Sequence, residues 1–244
     1  MTTNPMHQFE VYRIGPEINL GDINLSFTNA SLFMAISAIS VLSLLFFGTK
    51  KKSLIPTRMQ LITEMSYTFV AKMINDTTGS SAKSYFPFIF SLFMFILFCN
   101  MIGMLPYSFT VTSHIIVTFV LAAIVFIGVT IIGFVKHGIK YLELFVPKGV
   151  PVALLPLIII IEIISYLSRP VSLSVRLFAN MMAGHTMLKV FGGFVISLGL
   201  LGGWLPLGFS VALTGLEILV AFLQAYVFAI LTCIYLNDAL NLHH

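Results

Sequence analysis

Residues 115–135, "IIVTFVLAAIVFIGVTIIGFV", contain no charged, amide or imidazole side chain. A helix of this length rises about 30 Å, the thickness of a bilayer's hydrocarbon core. Lipid offers the backbone no hydrogen-bond partners, so such a run crosses as a helix that closes its own bonds. Comparable runs occupy 25–48, 85–106, 152–201 and 209–236. The outer-membrane barrel alternative needs ten-residue segments of alternating polarity, and the chain lacks them. Only 9% of the side chains are charged and the mean hydropathy is +1.02. A soluble domain is about a quarter charged. The expected fold is therefore all-α and integral to a membrane. It forms a single domain over 1–244 with five transmembrane crossings.

Residues 57–76 break the pattern. Met59, Ile62, Met65, Phe69 and Met73 recur at helical spacing among Gln60, Glu64 and Lys72. That spacing predicts an amphipathic helix lying at the membrane interface. Residues 77–84 read as a polar loop, and "GGWLPLG" at 202–208 reads as the last turn. The stretch from Pro170 to Leu201 has no internal proline, which implies about 48 Å of helix and a steep tilt. The last two helices are thus expected as a long tilted hairpin.

Basic residues set the expected topology. Lys50, Lys51, Lys52 and Arg58 follow the first span, and Lys136, Lys140 and Lys148 follow the third. The turns at 107–114 and 202–208 carry no lysine or arginine. Placing the basic loops inside puts the N-terminus outside and the C-terminus inside. The net charge of +4 is then a topological signal. No patch interleaves bases with aromatics, so nucleic acid is not an expected partner. The first 20 residues lack the basic-then-apolar pattern of a cleaved signal. No GxxxxGK[ST], GxGxxG or CxxC motif occurs, so no nucleotide, redox cofactor or metal is expected, nor catalysis by the chain alone. Cys99 and Cys233 lie inside apolar runs, as buried small hydrophobes do.

The hairpin carries ionisable groups that lipid disfavours: Glu162, Arg169, Arg176, His185, Lys189, Glu217 and Asp238, joined by Asn180 and Gln224. An intramembrane charge costs about 3 kcal/mol on insertion scales and marks a pathway by default. At about 100° per residue, Glu162, Arg169, Arg176 and Asn180 fall within one stripe, and His185 faces the other way. In an antiparallel hairpin, residues at one depth have a nearly constant index sum. That rule pairs His185 with Glu217, Arg176 with Gln224, and Glu162 with Asp238. The His–Glu pair suits a proton relay. Two uses of Arg176 stay open: a structural charge held by backbone carbonyls and Gln224, or a partner for an acid. Small residues flank it (Ser172, Ala179, Ala183), so another helix can approach closely. No acid of this chain is expected at its depth, which points to a carboxylate supplied by a separate chain. Asn180 and Gln224 also fit as interhelical glue. Arg169 and Lys189 fit as snorkelling side chains, Asp238 as a solvated end, and His114 as a proton gatherer or a plain loop residue.

Three stretches, "CNMIGMLPYSFTVTSH", "LSRPVSLSVRLFANMMAGH" and "LEILVAFLQAYVFAILTCIYLNDA", resemble signatures of subunit a of F-type ATP synthases, in their alphaproteobacterial and mitochondrial form. The resemblance covers nearly the whole chain. Many bacterial relatives carry an acid where Gly103 stands, so its absence shifts the outer access path onto His185 and Glu217. The resemblance implies a proton-translocating stator subunit in an energy-coupling inner membrane, bacterial in expectation and mitochondrial as the alternative. It implies two offset half-channels, a ring of c subunits with mid-membrane carboxylates, b-type peripheral stalk subunits, and the remainder of the synthase. Arg176 would separate the channels and promote deprotonation, with Asn180, Gln224 and Glu162 on the inner path. The competing reading is a stand-alone proton-coupled transporter. Such proteins show internal repeats, and five crossings without a repeat do not divide that way.

Overall fold

The structure is a computed structural model that describes residues 9–14, 19–20, 23–24, 26–50, 56–105, 108–146 and 154–241. Six α-helices account for most of it: α1 (Asn29–Lys50), α2 (Arg58–Thr78), α3 (Phe86–Gly103), α4 (Ile115–His137), α5 (Leu155–Gly202) and α6 (Trp204–Leu240). Five of these, all but α2, are long and apolar enough to cross a membrane. The all-α, five-crossing expectation is met. Its one β element among the described residues is a two-residue pair, Asn19–Leu20 with Ile23–Asn24. Lys51, Lys52, Lys148 and the expected hairpin start at 152 lie outside the described residues.

The spans are apolar all round, so lipid and protein must divide their surfaces. α6 is the hub, packed against α5, α3, α2 and α4. Small residues make this possible: Ala221, Ala225, Ala229 and Cys233 on α6 are fully buried. Leu177 and Met181 of α5, and Phe93 and Ile96 of α3, fill the space against the hub. Cys99 and Cys233 are buried free thiols. The outward faces stay greasy, with Ile116, Val135 and Ile196 among the exposed side chains. In water that belt would aggregate; in a bilayer it meets its solvent.

Several boundaries differ from the sequence expectation. The segment expected as a loop at 77–84 is a 3-10 helix, Gly79–Tyr85, leading directly into α3, where Pro87 suits the first turn. Gly79 at φ 69 and Gly138 at φ 59 end α2 and α4 in the left-handed manner glycine allows. The turn between α5 and α6 is far tighter than 202–208, because α6 already begins at Trp204. Gly199, with φ 59 and ψ −158, breaks α5 locally, and its carbonyl accepts the Gly203 amide at 2.9 Å. That break reverses the chain within a few residues. Up to that break α5 still runs 45 residues, Leu155–Gly199, about 67 Å if straight, which keeps the tilt argument.

α2 starts at Thr57, whose side chain accepts the Gln60 amide. Its inward face is Gln60, Thr63, Val70, Met73 and Ile74. Met59, Ile62 and Met65 are exposed, whereas the Phe69 ring packs on Phe93 of α3 and on Phe222 and Tyr226 of α6. The apolar stripe read from spacing is thus free to lie in lipid only in its first half, and Phe69 and Met73 turn to the bundle.

Candidate functional site

Two polar clusters sit at different depths along the hairpin. The first lies where α3 turns into α4. His185 on α5 places Nε2 3.5 Å from Glu217 Oε1 on α6. The same nitrogen lies 3.0 Å from Thr110 Oγ1. Thr110 donates its only hydroxyl hydrogen to the Gly103 carbonyl, at 3.1 Å. Its oxygen can therefore only accept from His185, so this network places a hydrogen on Nε2. Two glycines shape the cluster. A Cβ on Gly184 would lie 2.7 Å from Glu217 Oε1, so only glycine there lets the carboxylate sit beside His185. A Cβ on Gly103 would lie 2.9 Å from Thr110 Cγ2. Thr110 thus occupies the space that a side chain at 103 would need.

More polar atoms are sealed around this pair. Both Glu217 oxygens, Asn100 Oδ1, Thr112 Oγ1 and His114 Nε2 are buried without a hydrogen-bond partner. Asn100 donates only its amide hydrogen, to the Ala221 carbonyl at 3.1 Å. Thr110, Asn100 and Thr112 were not singled out from sequence as site residues. Asn100 had a signal, as the one amide in α3. The threonines had none, since their role depends on how the α3–α4 connection folds over α5.

The second cluster centres on Arg169. Nη1 donates to Asp238 Oδ2 at 3.1 Å. The guanidinium lies over Tyr166 and Tyr235, 5.4 and 5.0 Å from their centroids. Tyr166 Oη meets Tyr141 Oη at 3.0 Å and Thr130 Oγ1 at 2.6 Å. Thr130 donates onward to the Phe126 carbonyl at 2.7 Å. At the same end, Lys136 and His137 both reach the Leu240 carbonyl. This corrects two expectations. Asp238 is paired with Arg169, not with Glu162, and Arg169 is anchored, not snorkelling. A long arginine side chain reaches past the residue directly opposite, so the index-sum rule fails here while it holds for the shorter His185 and Glu217.

Arg176 is different again. It is exposed, as are Ser172, Ala179 and Ala183 on its face. No hydrogen bond or ion pair joins it to any described residue. The expected Arg176–Gln224 bond is absent among the described residues, because Gln224 turns into the core at 5% exposure. Asn180 and Glu162 are half-buried and likewise make no side-chain bond among the described residues. The geometry thus joins His185 with Glu217 and leaves Arg176, Asn180 and Glu162 along an open flank.

A family model described as ATP synthase A chain matches residues 31–237. The chain belongs to the ATP synthase A chain family. An ATP synthase subunit a from Pelagibacter ubique (strain HTCC1062) is 78% identical over 244 residues, covering all of both chains. Proteins of the same description from Chelativorans sp. (strain BNC1) and Rhizobium rhizogenes (strain K84 / ATCC BAA-868) are each 58% identical. Those matches cover 100% of both chains for the first, and 99% of this chain and 98% of the relative for the second. For a member of this family, the chemistry available is proton transfer. His185 and Glu217 are two titratable groups held 3.5 Å apart between two spans. Arg176 is a permanent cation turned toward whatever lies beside α5.

Proposed function

We propose that this chain is the proton-conducting stator subunit of an F-type ATP synthase in a bacterial inner membrane. The supporting observation is the contrast between two arginines of one helix. Arg169 is neutralised by Asp238 within the chain, whereas Arg176 makes no bond to any described residue and stands on a small-residue face. An unpaired cation in the span is costly unless a partner supplies its counter-charge. The partner of fitting chemistry is a rotating ring of c subunits, each carrying a mid-membrane carboxylate. The basic residues at 50–58 and 136–148 support the N-terminus outside and the C-terminus inside.

Protons then come from outside past His185 and Glu217 and neutralise a ring carboxylate. The neutral site can turn through lipid, where a bare carboxylate would cost several kcal/mol. After most of a turn it meets the inner half-channel along Asn180, Gln224 and Glu162. Arg176 stabilises the ionised form there, favours release, and bars a direct leak between the two channels. A potential of 100 mV supplies about 2.3 kcal/mol per proton. Stalk subunits of b type and the catalytic sector would couple the rotation to ATP synthesis.

The test is Arg176→Ala and Arg176→Lys in the assembled complex. ATP-driven proton pumping into inverted vesicles is expected to be lost while the ring still co-purifies. Pumping at the normal rate would remove Arg176 from the mechanism. Purification of the chain alone, without a ring of small hairpin proteins, would favour the stand-alone transporter.

A further inference from the structure

His114 precedes α4 and closes the short 3-10 turn Val111–Ser113. Its backbone is fully occupied. The amide bonds the Val111 carbonyl at 3.3 Å, and its own carbonyl accepts the amides of Val117 and Thr118. Its side chain makes no capping bond to α4. The ring stacks on Phe109 at 5.0 Å and 21°, and Phe109 rests on Phe33 of α1. The imidazole is half-buried, but its Nε2 is sealed and unpartnered. Burying such a nitrogen without a partner is costly.

The sealed nitrogen has company. Thr112 Oγ1 in the same turn, Asn100 Oδ1 on α3 and both Glu217 oxygens on α6 are also buried and unpartnered. Thr110, just before the turn, touches His185. The turn packs against α1, α3, α4 and α5. We propose that these atoms line one hydrogen-bonded file completed by water, and that His114 is the proton acceptor at its outer end. Resting on the stator reading above, this adds a third titratable group ahead of His185 and Glu217.

The step balances simply. The half-buried ring takes a proton from outer water on Nδ1 and becomes an imidazolium. It then releases the Nε2 hydrogen into the file toward His185. One proton arrives and one leaves, and the ring resets by exchanging tautomers through the same water. Burial holds His114 below the usual imidazole range. The resting ring is therefore neutral, the form with one donor and one acceptor nitrogen. The other charged groups at this end are His185 and Lys189 of α5, Glu217 of α6, and Glu10 and Arg13 of the segment beside the start of α1. Helices α3 and α4 bring no carboxylate or amine here, and the one charge of α1, Lys50, is at its far end.

The test compares His114→Ala, His114→Gln and His114→Glu in the whole complex. Passive proton conductance is measured in vesicles stripped of the catalytic sector, and ring co-purification reports assembly. Ala and Gln are expected to lower conductance about a hundredfold, the smaller end of a proton-transfer residue's effect. Glu, which titrates, is expected to restore most of it with the pH profile moved toward acid. A merely structural ring would favour Gln over Glu. Wild-type conductance in Gln overturns the proposal, and so does failure of all three variants to assemble. ATP-driven pumping by Arg176→Ala, in vesicles that keep the catalytic sector, separates the two levels. If that pumping is lost while His114→Gln conducts normally, only the His114 proposal falls. If Arg176→Ala pumps normally, the stator reading falls first.

Discussion

Removing the Asp238 carboxylate tests whether the inner cluster exists to silence Arg169. In Asp238→Asn the guanidinium keeps its two tyrosine rings but loses its counter-charge. The direct cost to stability is modest. Hydrogen bonds to charged groups contribute about 1.5–3 kcal/mol, and the partly exposed side chains, at 22% and 33%, draw this toward the low end. The effect on function is larger in kind. Arg169 and Arg176 are seven residues apart on α5, about 10 Å along the helix. At an effective dielectric near 20, an uncancelled charge at that distance is worth about 1.5 kcal/mol at the Arg176 site. In the proposed mechanism, the added positive field disfavours the protonated form of the ring carboxylate. Loading from the inner side therefore needs about tenfold more protons. ATP-driven pumping by Asp238→Asn should move about one pH unit toward acid. Arg169→Gln/Asp238→Asn, which removes both charges, should return it. The assay is pumping against pH in inverted vesicles at matched complex levels. A superimposable profile for Asp238→Asn, or a double variant no better than the single, would refute the reasoning.

Other expected outcomes follow from the first cluster. Glu217→Gln and His185→Ala should each slow pumping without abolishing it, and the exchange His185→Glu/Glu217→His should recover part of the rate. Two single variants pumping like wild type would remove the relay. Gly184→Ala should cost little stability, because the atom it meets is the flexible end of Glu217. It should still slow proton conductance severalfold by pushing the carboxylate off His185, general acid–base geometry being intolerant of such displacement. Normal conductance with normal assembly would show that the 3.5 Å approach is dispensable.

Much of this molecule is legible in one dimension because lipid leaves few choices. Runs such as 115–135 dictate spans. His185 and Glu217 were paired by counting residues around a hairpin, which works when both side chains are short and the helices touch. The same counting misplaced Asp238, since it takes no account of the reach of Arg169 or of the two tyrosines that hold it. It also joined Arg176 to Gln224, which the small alanines of α6 draw into the core. Thr110 and Thr112 were hidden for another reason. Their meaning comes from a connection folded over α5, and no periodicity encodes that. The turn at Gly199 shows the same limit: one left-handed residue replaced a loop of several.

The contact between Gly103 and Thr110 has a corollary for substitution. A Cβ at position 103 would come within 2.9 Å of the Thr110 methyl, on the residue whose hydroxyl meets His185. Bulk added on the α3 side should therefore be felt across the bundle, at an imidazole more than eighty residues away in the chain.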